Sequence, residues 1–168
     1  MLVRHIGGMA FVGSGPSQHL LVMDGREPGS QEPQRAPGPM EVLLMALGGC
    51  TGMDVVSILR KKRVAFTGLE VRLHGERAAE HPKRYTSIEI EYVVRGRDLP
   101  AKAVEDAARL SFEKYCSVAG TLRPAVALSY RVTLQEATDS EPGPVAAVPA
   151  APAAPAAPAA PAAQTAQP

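Results

Sequence analysis

The sequence predicts an α+β domain with the element order ββ-α-ββ-α-β and a long, buried central helix. Residues 40–63 form a nearly continuous apolar stretch with helix start and stop signals at its two ends. A second helical stretch starts at Pro100. Several shorter segments alternate apolar and polar residues, which is the period of a strand with one buried face.

The first 38 residues predict a hairpin followed by a surface loop. Residues 9–23 place short apolar runs on both sides of the turn-forming segment 13–17. Residues 26–38 are polar and rich in Pro and Gly, which is typical of a loop. Loops that lead to reactive helices often carry substrate-facing groups. Arg26 and Arg35 are therefore candidates to orient an anionic or peroxidic group, and the alternative is that both are solvated.

The central helix begins near Pro39, has Glu41 in its first turn and ends in a basic run. It is apolar on all sides, so all sides need to be covered. A sheet covers one side, and we expect other elements or a second copy of the chain to cover the other. Gly48 and Gly49 precede Cys50 and cost about 1 kcal/mol each in helix propensity. Either a close approach to the sulfur or tight packing against a neighbouring helix explains them.

The rest of the domain is predicted to contain three strands, in which apolar and polar residues alternate, and a second helix. Residues 69–73 and 88–94 predict two antiparallel strands with one buried face each. The second helix is predicted from Pro100 to a stop at Gly120 and carries Cys116 near its end. A final strand is predicted at residues 126–134.

Two regions of different composition divide the chain. Residues 1–136 are predicted to form the domain, and residues 137–168 an Ala/Pro-rich disordered tail. Proline recurs at every third position from Pro149 to Pro161, which is typical of a polyproline II spacer. Docking to a proline-binding partner is the alternative.

Composition excludes several functions. With a net charge of +1 and no Trp, the chain lacks the basic surface and the aromatic residues typical of nucleic-acid-binding proteins. The start of the chain lacks the apolar run of a secretory signal, so a cytoplasmic location is expected. Asp54 interrupts the longest apolar stretch, so no membrane span is predicted. For the two cysteines, metal binding is the weaker option beside redox activity, because two Cys without a CxxC and four scattered His offer no metal-ligand spacing.

Each predicted long helix carries one cysteine, and these are the only two in the chain. A thiol that attacks a peroxide must be ionised, and its sulfenic acid is then resolved by a second thiol. Cys50 is the better candidate for the nucleophile and Cys116 for the resolving thiol. Spacing alone does not show that the two sulfur atoms meet.

Two cysteine boxes resemble those of the OsmC/Ohr family of osmotically inducible and organic hydroperoxide resistance proteins. The first box comprises residues 39–44 (PMEVLL), 46–51 (ALGGCT) and 54–56 (DVV), and the second is residues 113–118 (EKYCSV). The resemblance extends from about Gly8 to Leu134. It is strongest to the YhfA-like branch, through MDG at 23–25 and KYCSV at 114–118.

The resemblance implies an OsmC-like fold and an intertwined homodimer with the cysteine sites at the subunit interface. It also implies a thiol peroxidase that reduces organic hydroperoxides through a Cys50 sulfenate and a Cys50–Cys116 disulfide. A dithiol or a lipoylated protein would recharge it. The resemblance implies no metal, haem or flavin.

Two positions, Met40 and Ser117, depart from the family pattern, and a third residue, Asp54, bears on the thiol chemistry. The family glutamate ten residues before the first cysteine is Met40 here, so Glu41 is the candidate substitute. Its arginine partner is unassigned between Arg26 and Arg35, and Arg35 is taken as the candidate. Asp54 lies one turn after Cys50, where an ionised carboxylate opposes thiolate formation. Ser117 replaces a common proline. The alternatives are a non-catalytic, redox-responsive or ligand-binding dimer that lost the glutamate, and a dimer with purely structural cysteines.

Overall fold

The computed structural model describes residues 1–31 and 33–137, and the predicted tail beyond residue 137 lies outside the described residues. The described residues form two three-stranded sheets and a helical layer. The elements are β1 (Leu2–Gly7), β2 (Ala10–Ser14), β3 (Leu20–Met23), α1 (Pro39–Lys61), β4 (Gly68–Arg77), β5 (Tyr85–Gly96), α2 (Ala101–Leu110), a π-helical turn (Ser111–Tyr115), α3 (Ser117–Leu122) and β6 (Ala127–Glu136). The predicted α+β fold class is confirmed.

The N-terminal sheet is antiparallel with the order β1-β2-β3. The predicted hairpin corresponds to β2 and β3, and β1 is an additional strand that the sequence analysis did not include. Large apolar side chains of this sheet are exposed in the single chain: Leu2, Val3, Ile6, Phe11, Leu20, Leu21 and Val22. This sheet therefore has no hydrophobic core of its own within one chain.

The second sheet has the order β4-β5-β6 and supports the helices. The β4 and β5 strands are antiparallel, as predicted, whereas β6 runs parallel to β5. The helical segment between β5 and β6 makes this parallel pairing possible, because parallel neighbours need a crossover connection. On one face Ile88, Ile90 and Tyr92 are fully buried. On the other, Glu91 forms ion pairs with arginines of both neighbouring strands.

Helix α1 lies on the second sheet and closes the core. Gly48 and Gly52 allow this approach: a Cβ atom at Gly48 would lie 2.7 Å from Cδ1 of Leu73, and one at Gly52 3.3 Å from Cγ2 of Val71. Gly49 has no atom within 4 Å of such a Cβ position. Tight packing thus explains Gly48, but against a strand instead of the neighbouring helix we expected.

Among the residues that the structure describes, only one side of α1 is covered. Leu47, Val55 and Leu59 are fully buried, whereas Met45 is 59% and Met53 74% exposed. By length and composition α1 could also cross a membrane, since its most apolar window has a mean hydropathy of 1.9. Its fully buried residues belong instead to the hydrophobic core shared with β5 and α2, as expected of the core helix of a folded domain.

The second helix is broken, and the prediction of one continuous helix ending at Gly120 was wrong. After α2 the backbone widens into a π-helical turn, and Cys116 is extended, with φ −69° and ψ 105°. Helix α3 then starts at Ser117 and contains Gly120. The apolar periodicity continues across the break, because buried positions on both sides face the same core, and so the pattern gave no signal of it.

Candidate active site

The site centres on two residues of α1 that share one helix face. Cys50 and Asp54 are four residues apart, so their side chains are neighbours one turn from each other. Both are half-buried. This face of α1 meets α2, the π-helical turn and α3.

Cys116 reaches the same place because of the helix break. Its backbone N–H donates to the Ser111 carbonyl at 2.9 Å, which closes the wide π-helical turn. The extended Cys116 backbone then starts α3, where its Sγ accepts a hydrogen bond from the Ala119 N–H at 3.4 Å. The side chain is buried, with 5% exposed. Single π-helical turns within α-helices are frequent at functional sites.

Three potential ligand atoms converge at this point. The sulfur atoms of Cys50 and Cys116 and a carboxylate oxygen of Asp54 all lie within 4.8 Å of one another. Both cysteines are free thiols. A disulfide needs an S–S distance of about 2.05 Å, so the sulfur atoms must approach by up to about 3 Å. Side-chain rotation and adjustment of the extended Cys116 segment are the motions available for this.

A chain of buried hydroxyl groups leads to the Asp54 carboxylate. Ser111 Oγ lies 3.0 Å from Asp54 Oδ2 and 2.7 Å from Thr51 Oγ1, and Thr51 Oγ1 also bonds the Tyr92 hydroxyl. An ionised carboxylate only accepts hydrogen bonds. The consistent order is therefore donation from Tyr92 to Thr51, from Thr51 to Ser111, and from Ser111 to Asp54. This network holds one carboxylate oxygen in place.

Burial dominates the electrostatics of the site. It raises the pKa of the Cys116 thiol to about 11, against the opposing effect of the Ala119 N–H and with a further rise from the adjacent Cys50. It also raises the pKa of Tyr92 to about 12, although the hydrogen bond to Thr51 opposes the rise. Cys116 and Tyr92 are therefore uncharged at neutral pH.

The raised pKa of Cys116 predicts a loss of stability at alkaline pH. A neutral thiol is favoured in the folded protein, so this contribution is full below the ordinary thiol pKa of 9.0 and disappears as the pH approaches about 11. We expect the free energy of unfolding to fall more steeply between pH 9 and 11 for the reduced wild type than for Cys116→Ala. Urea denaturation at each pH measures it. Tyr92 is present in both proteins, and its raised pKa lowers the free energy of unfolding at alkaline pH in both. Superimposable pH curves would therefore contradict the prediction.

Glu41 occupies a structural position. Its carboxylate accepts a hydrogen bond from the Gly38 N–H at 2.6 Å and so caps the start of α1. Cys50 lies nine residues further along the helix, about 13 Å along the axis. The first-turn role is thus observed for Glu41, and its catalytic role stays a prediction.

The candidate arginines lie in the loop before α1. Arg26 and Arg35 line a groove that β1, β2 and this loop form, and Cys50 is not among its lining residues. The backbone N–H of Arg35 donates to Asp24 at 3.0 Å. A role for either arginine at the thiols also stays a prediction.

Ser117, the other departure from the family pattern, and Asp54 both have local explanations. Ser117 is the first residue of α3, a position that suits proline and equally accepts serine. The carboxylate of Asp54 accepts a hydrogen bond from the buried Ser111 hydroxyl at 3.0 Å.

Sequence reasoning missed the hydroxyl network. Thr51 and Ser111 are fully buried polar residues on helices. Ser111 continues the buried face of α2 formed by Val104, Ala107 and Ala108. A hydroxyl on an otherwise apolar helix face was the available signal, because a buried polar group requires a partner.

Comparison with known proteins identifies the family. The sequence profile described as "OsmC-like protein" matches residues 29–131. The chain belongs to the OsmC-like family. The resemblance to the YhfA-like branch is also confirmed: Protein YhfA of Escherichia coli strain K12 is 44% identical over 128 residues, which cover 76% of this chain and 92% of YhfA.

Solved structures share the fold of this OsmC-like protein. A hypothetical protein from Aquifex aeolicus VF5 is 31% identical with a TM-score of 0.71, covering 82% of this chain and 96% of its own. An organic hydroperoxide resistance protein from Elizabethkingia anophelis has a TM-score of 0.59, covering 79% of this chain and 94% of its own. Its identity of 9% shows a common fold alone.

Proposed function

We propose that this OsmC-like protein is a thiol-dependent peroxidase that reduces organic hydroperoxides. The observation that carries the proposal is the pair of free thiols, Cys50 and Cys116, whose sulfur atoms lie within 4.8 Å of each other on separate elements. Family membership supports it, since proteins with this fold include organic hydroperoxide resistance proteins.

The proposed catalytic cycle has three steps. The Cys50 thiolate attacks the outer peroxide oxygen, the O–O bond breaks, and the alkoxide leaves as an alcohol after taking up a proton. The Cys50 sulfenic acid then reacts with the Cys116 thiol, forming the disulfide and releasing water. A dithiol reduces this disulfide to two thiols and is itself oxidised to a disulfide.

The environments of the two thiols support this division of roles. Cys116 is buried and its pKa is raised, so it remains a neutral thiol while Cys50 reacts. Cys50 is the more accessible of the two. In the second step Asp54 takes up the proton of Cys116 and returns it to the leaving hydroxide. Arg35 and Glu41 retain their predicted assisting roles.

The proposed assembly is a homodimer in a reducing, cytoplasmic environment. The uncovered stripe of α1, which includes Met45 and Met53, and the apolar N-terminal sheet both need a cover. A second copy offers matching apolar surfaces to both. The reductant is proposed to be a small dithiol or a lipoylated protein.

The direct test is turnover by the full-length protein. With dihydrolipoamide as reductant and an alkyl hydroperoxide as substrate, we expect one alcohol formed per dithiol oxidised, at a rate far above the protein-free reaction. Product analysis by chromatography measures this ratio. An inert wild type across alkyl, aryl and fatty-acid hydroperoxides would overturn the proposal.

A second candidate is a non-catalytic, redox-responsive dimer. The observation that favours it is the Asp54 carboxylate beside both thiols, since a nearby negative charge disfavours thiolate formation. This candidate predicts that a chemical oxidant closes the Cys50–Cys116 disulfide and a dithiol reopens it, without turnover of any hydroperoxide.

A further inference from the structure

Cys50, Asp54 and Cys116 form a cluster of a kind that binds metal ions as well as one that carries redox chemistry. Their ligand atoms lie within 4.8 Å of one another. Among residues 1–31 and 33–137 no second cluster of three such side chains was found. We infer that these three residues form a reversible Zn²⁺ site.

The geometry is close to that of a tetrahedral metal centre. Zn²⁺ binds thiolate sulfur at about 2.3 Å and carboxylate oxygen at about 2.0–2.2 Å, so ligand atoms in a tetrahedral site lie about 3.5–3.8 Å apart. The separations between the three atoms need to shorten by up to about 1 Å to reach these distances. This is a smaller motion than disulfide formation needs. Three protein ligands leave the fourth position of the tetrahedron open to water.

The ligand types favour a borderline-soft divalent cation. Two thiolates exclude the hard cations Mg²⁺ and Ca²⁺, which take oxygen ligands. The carboxylate oxygen makes the site less suitable for Cu⁺, which prefers sulfur, and Zn²⁺ accepts both ligand types.

The hydroxyl network prepares the carboxylate for this role. Ser111 donates to Oδ2 of Asp54 at 3.0 Å, so the remaining oxygen and lone pairs are free to bind the ion. Partners that orient metal ligands in this way commonly change metal affinity by about 10–100-fold. The buried bonds from Ser111 to Thr51 and on to Tyr92 fix the donor itself.

Zinc binding and formation of the Cys50–Cys116 disulfide exclude each other. Zn²⁺ replaces the protons of the Cys50 and Cys116 thiols, and these protons are released to solvent. Coordination lowers the nucleophilicity of the two thiolates, and sulfur atoms joined in a disulfide no longer offer thiolate ligands, so the ion favours the reduced state of the pair. The inference does not depend on the proposed peroxidase, because the cluster binds zinc whether or not Cys50 turns over a substrate.

Zinc titration of the full-length, reduced and metal-free protein tests the site. In competition with a chromophoric chelator, we expect one Zn²⁺ per chain, and none after Cys50→Ser or Cys116→Ser. Asp54→Asn is expected to weaken binding at least about tenfold. The matched control is Asp106→Asn on α2, whose carboxylate pairs with Lys62 and Arg109 away from the thiols; it should bind as the wild type does.

A second experiment uses the wild-type protein alone, so its result does not depend on whether the variants fold. Oxidising the wild type to the intramolecular disulfide should abolish zinc binding, and reduction with a dithiol should restore it. Wild-type affinity in Asp54→Asn, or zinc binding that survives oxidation, would overturn the inference. The titrations contain no hydroperoxide and the turnover assay contains a chelator, so failure of one proposal is distinct from failure of the other.

Discussion

Replacing Cys50 with serine is expected to abolish hydroperoxide reduction, whereas Cys116→Ser should still consume about one hydroperoxide per chain. A serine hydroxyl is not ionised at neutral pH and cannot attack the O–O bond. Cys116→Ser keeps the attacking thiol but has no resolving partner, so it stops at the sulfenic acid. The chain contains two cysteines in total, and the two variants therefore separate all of its thiol chemistry.

The measurement is a single-turnover burst with a sulfenic-acid trap. Dimedone should label Cys116→Ser at Cys50 after one equivalent of hydroperoxide, and Cys50→Ser should remain unlabelled. The two variants serve as matched controls for each other, since each removes one sulfur atom from the same cluster. Equal bursts in both variants would contradict the assignment of Cys50 as the attacking thiol. Labelling of Cys50→Ser at Cys116 would reverse the two assigned roles.

A charge on the uncovered face of α1 is expected to dissociate the proposed dimer. Met53 is 74% exposed in the single chain and lies in the apolar stripe assigned to the interface. In a two-fold interface Met53→Glu replaces two apolar side chains with carboxylates, and removing a charge from water costs several kcal/mol. At about 4 kcal/mol the dissociation constant rises about a thousandfold.

Light scattering coupled to size-exclusion chromatography checks this prediction. The wild type should elute with twice the chain mass and Met53→Glu with the mass of one chain. Ala79→Glu is the matched control, because it adds the same charge at an exposed position in the loop between β4 and β5 and should leave the dimer intact. A monomeric wild type, or a Met53→Glu variant that stays dimeric, would refute the assigned interface.

Prediction from the sequence succeeded where the signal was local. The bounds of α1 at Pro39 and Lys61 lie within two residues of the predicted ones, because an N-terminal proline, a first-turn acid and a basic last turn act directly on the helix end. The strands β4, β5 and β6 were also predicted from a local signal, which is the alternation of apolar and polar residues along each strand. The missed strand β1 has no buried face in the chain, and so it lacks the pattern that burial imposes.

The site was predicted only in part. The residue types of Cys50 and Cys116 pointed to thiol chemistry before any geometry was known. Their convergence with Asp54 depends on the break in the second helix, which the sequence did not predict. The π-helical turn at the break contacts α1 through the Ser111–Thr51 hydrogen bond, and these two residues are far apart in the sequence.

The sequence by itself determined the family of this OsmC-like protein, its α+β class, the long helix α1 and the two candidate cysteines, because each depends on local composition or on the order of residues along the chain. Only the tertiary structure decided that the sulfur atoms and a carboxylate oxygen lie within 4.8 Å of one another, and that none of the described residues covers one side of α1. Both depend on the burial of distant segments against one another, and burial arises from packing in three dimensions.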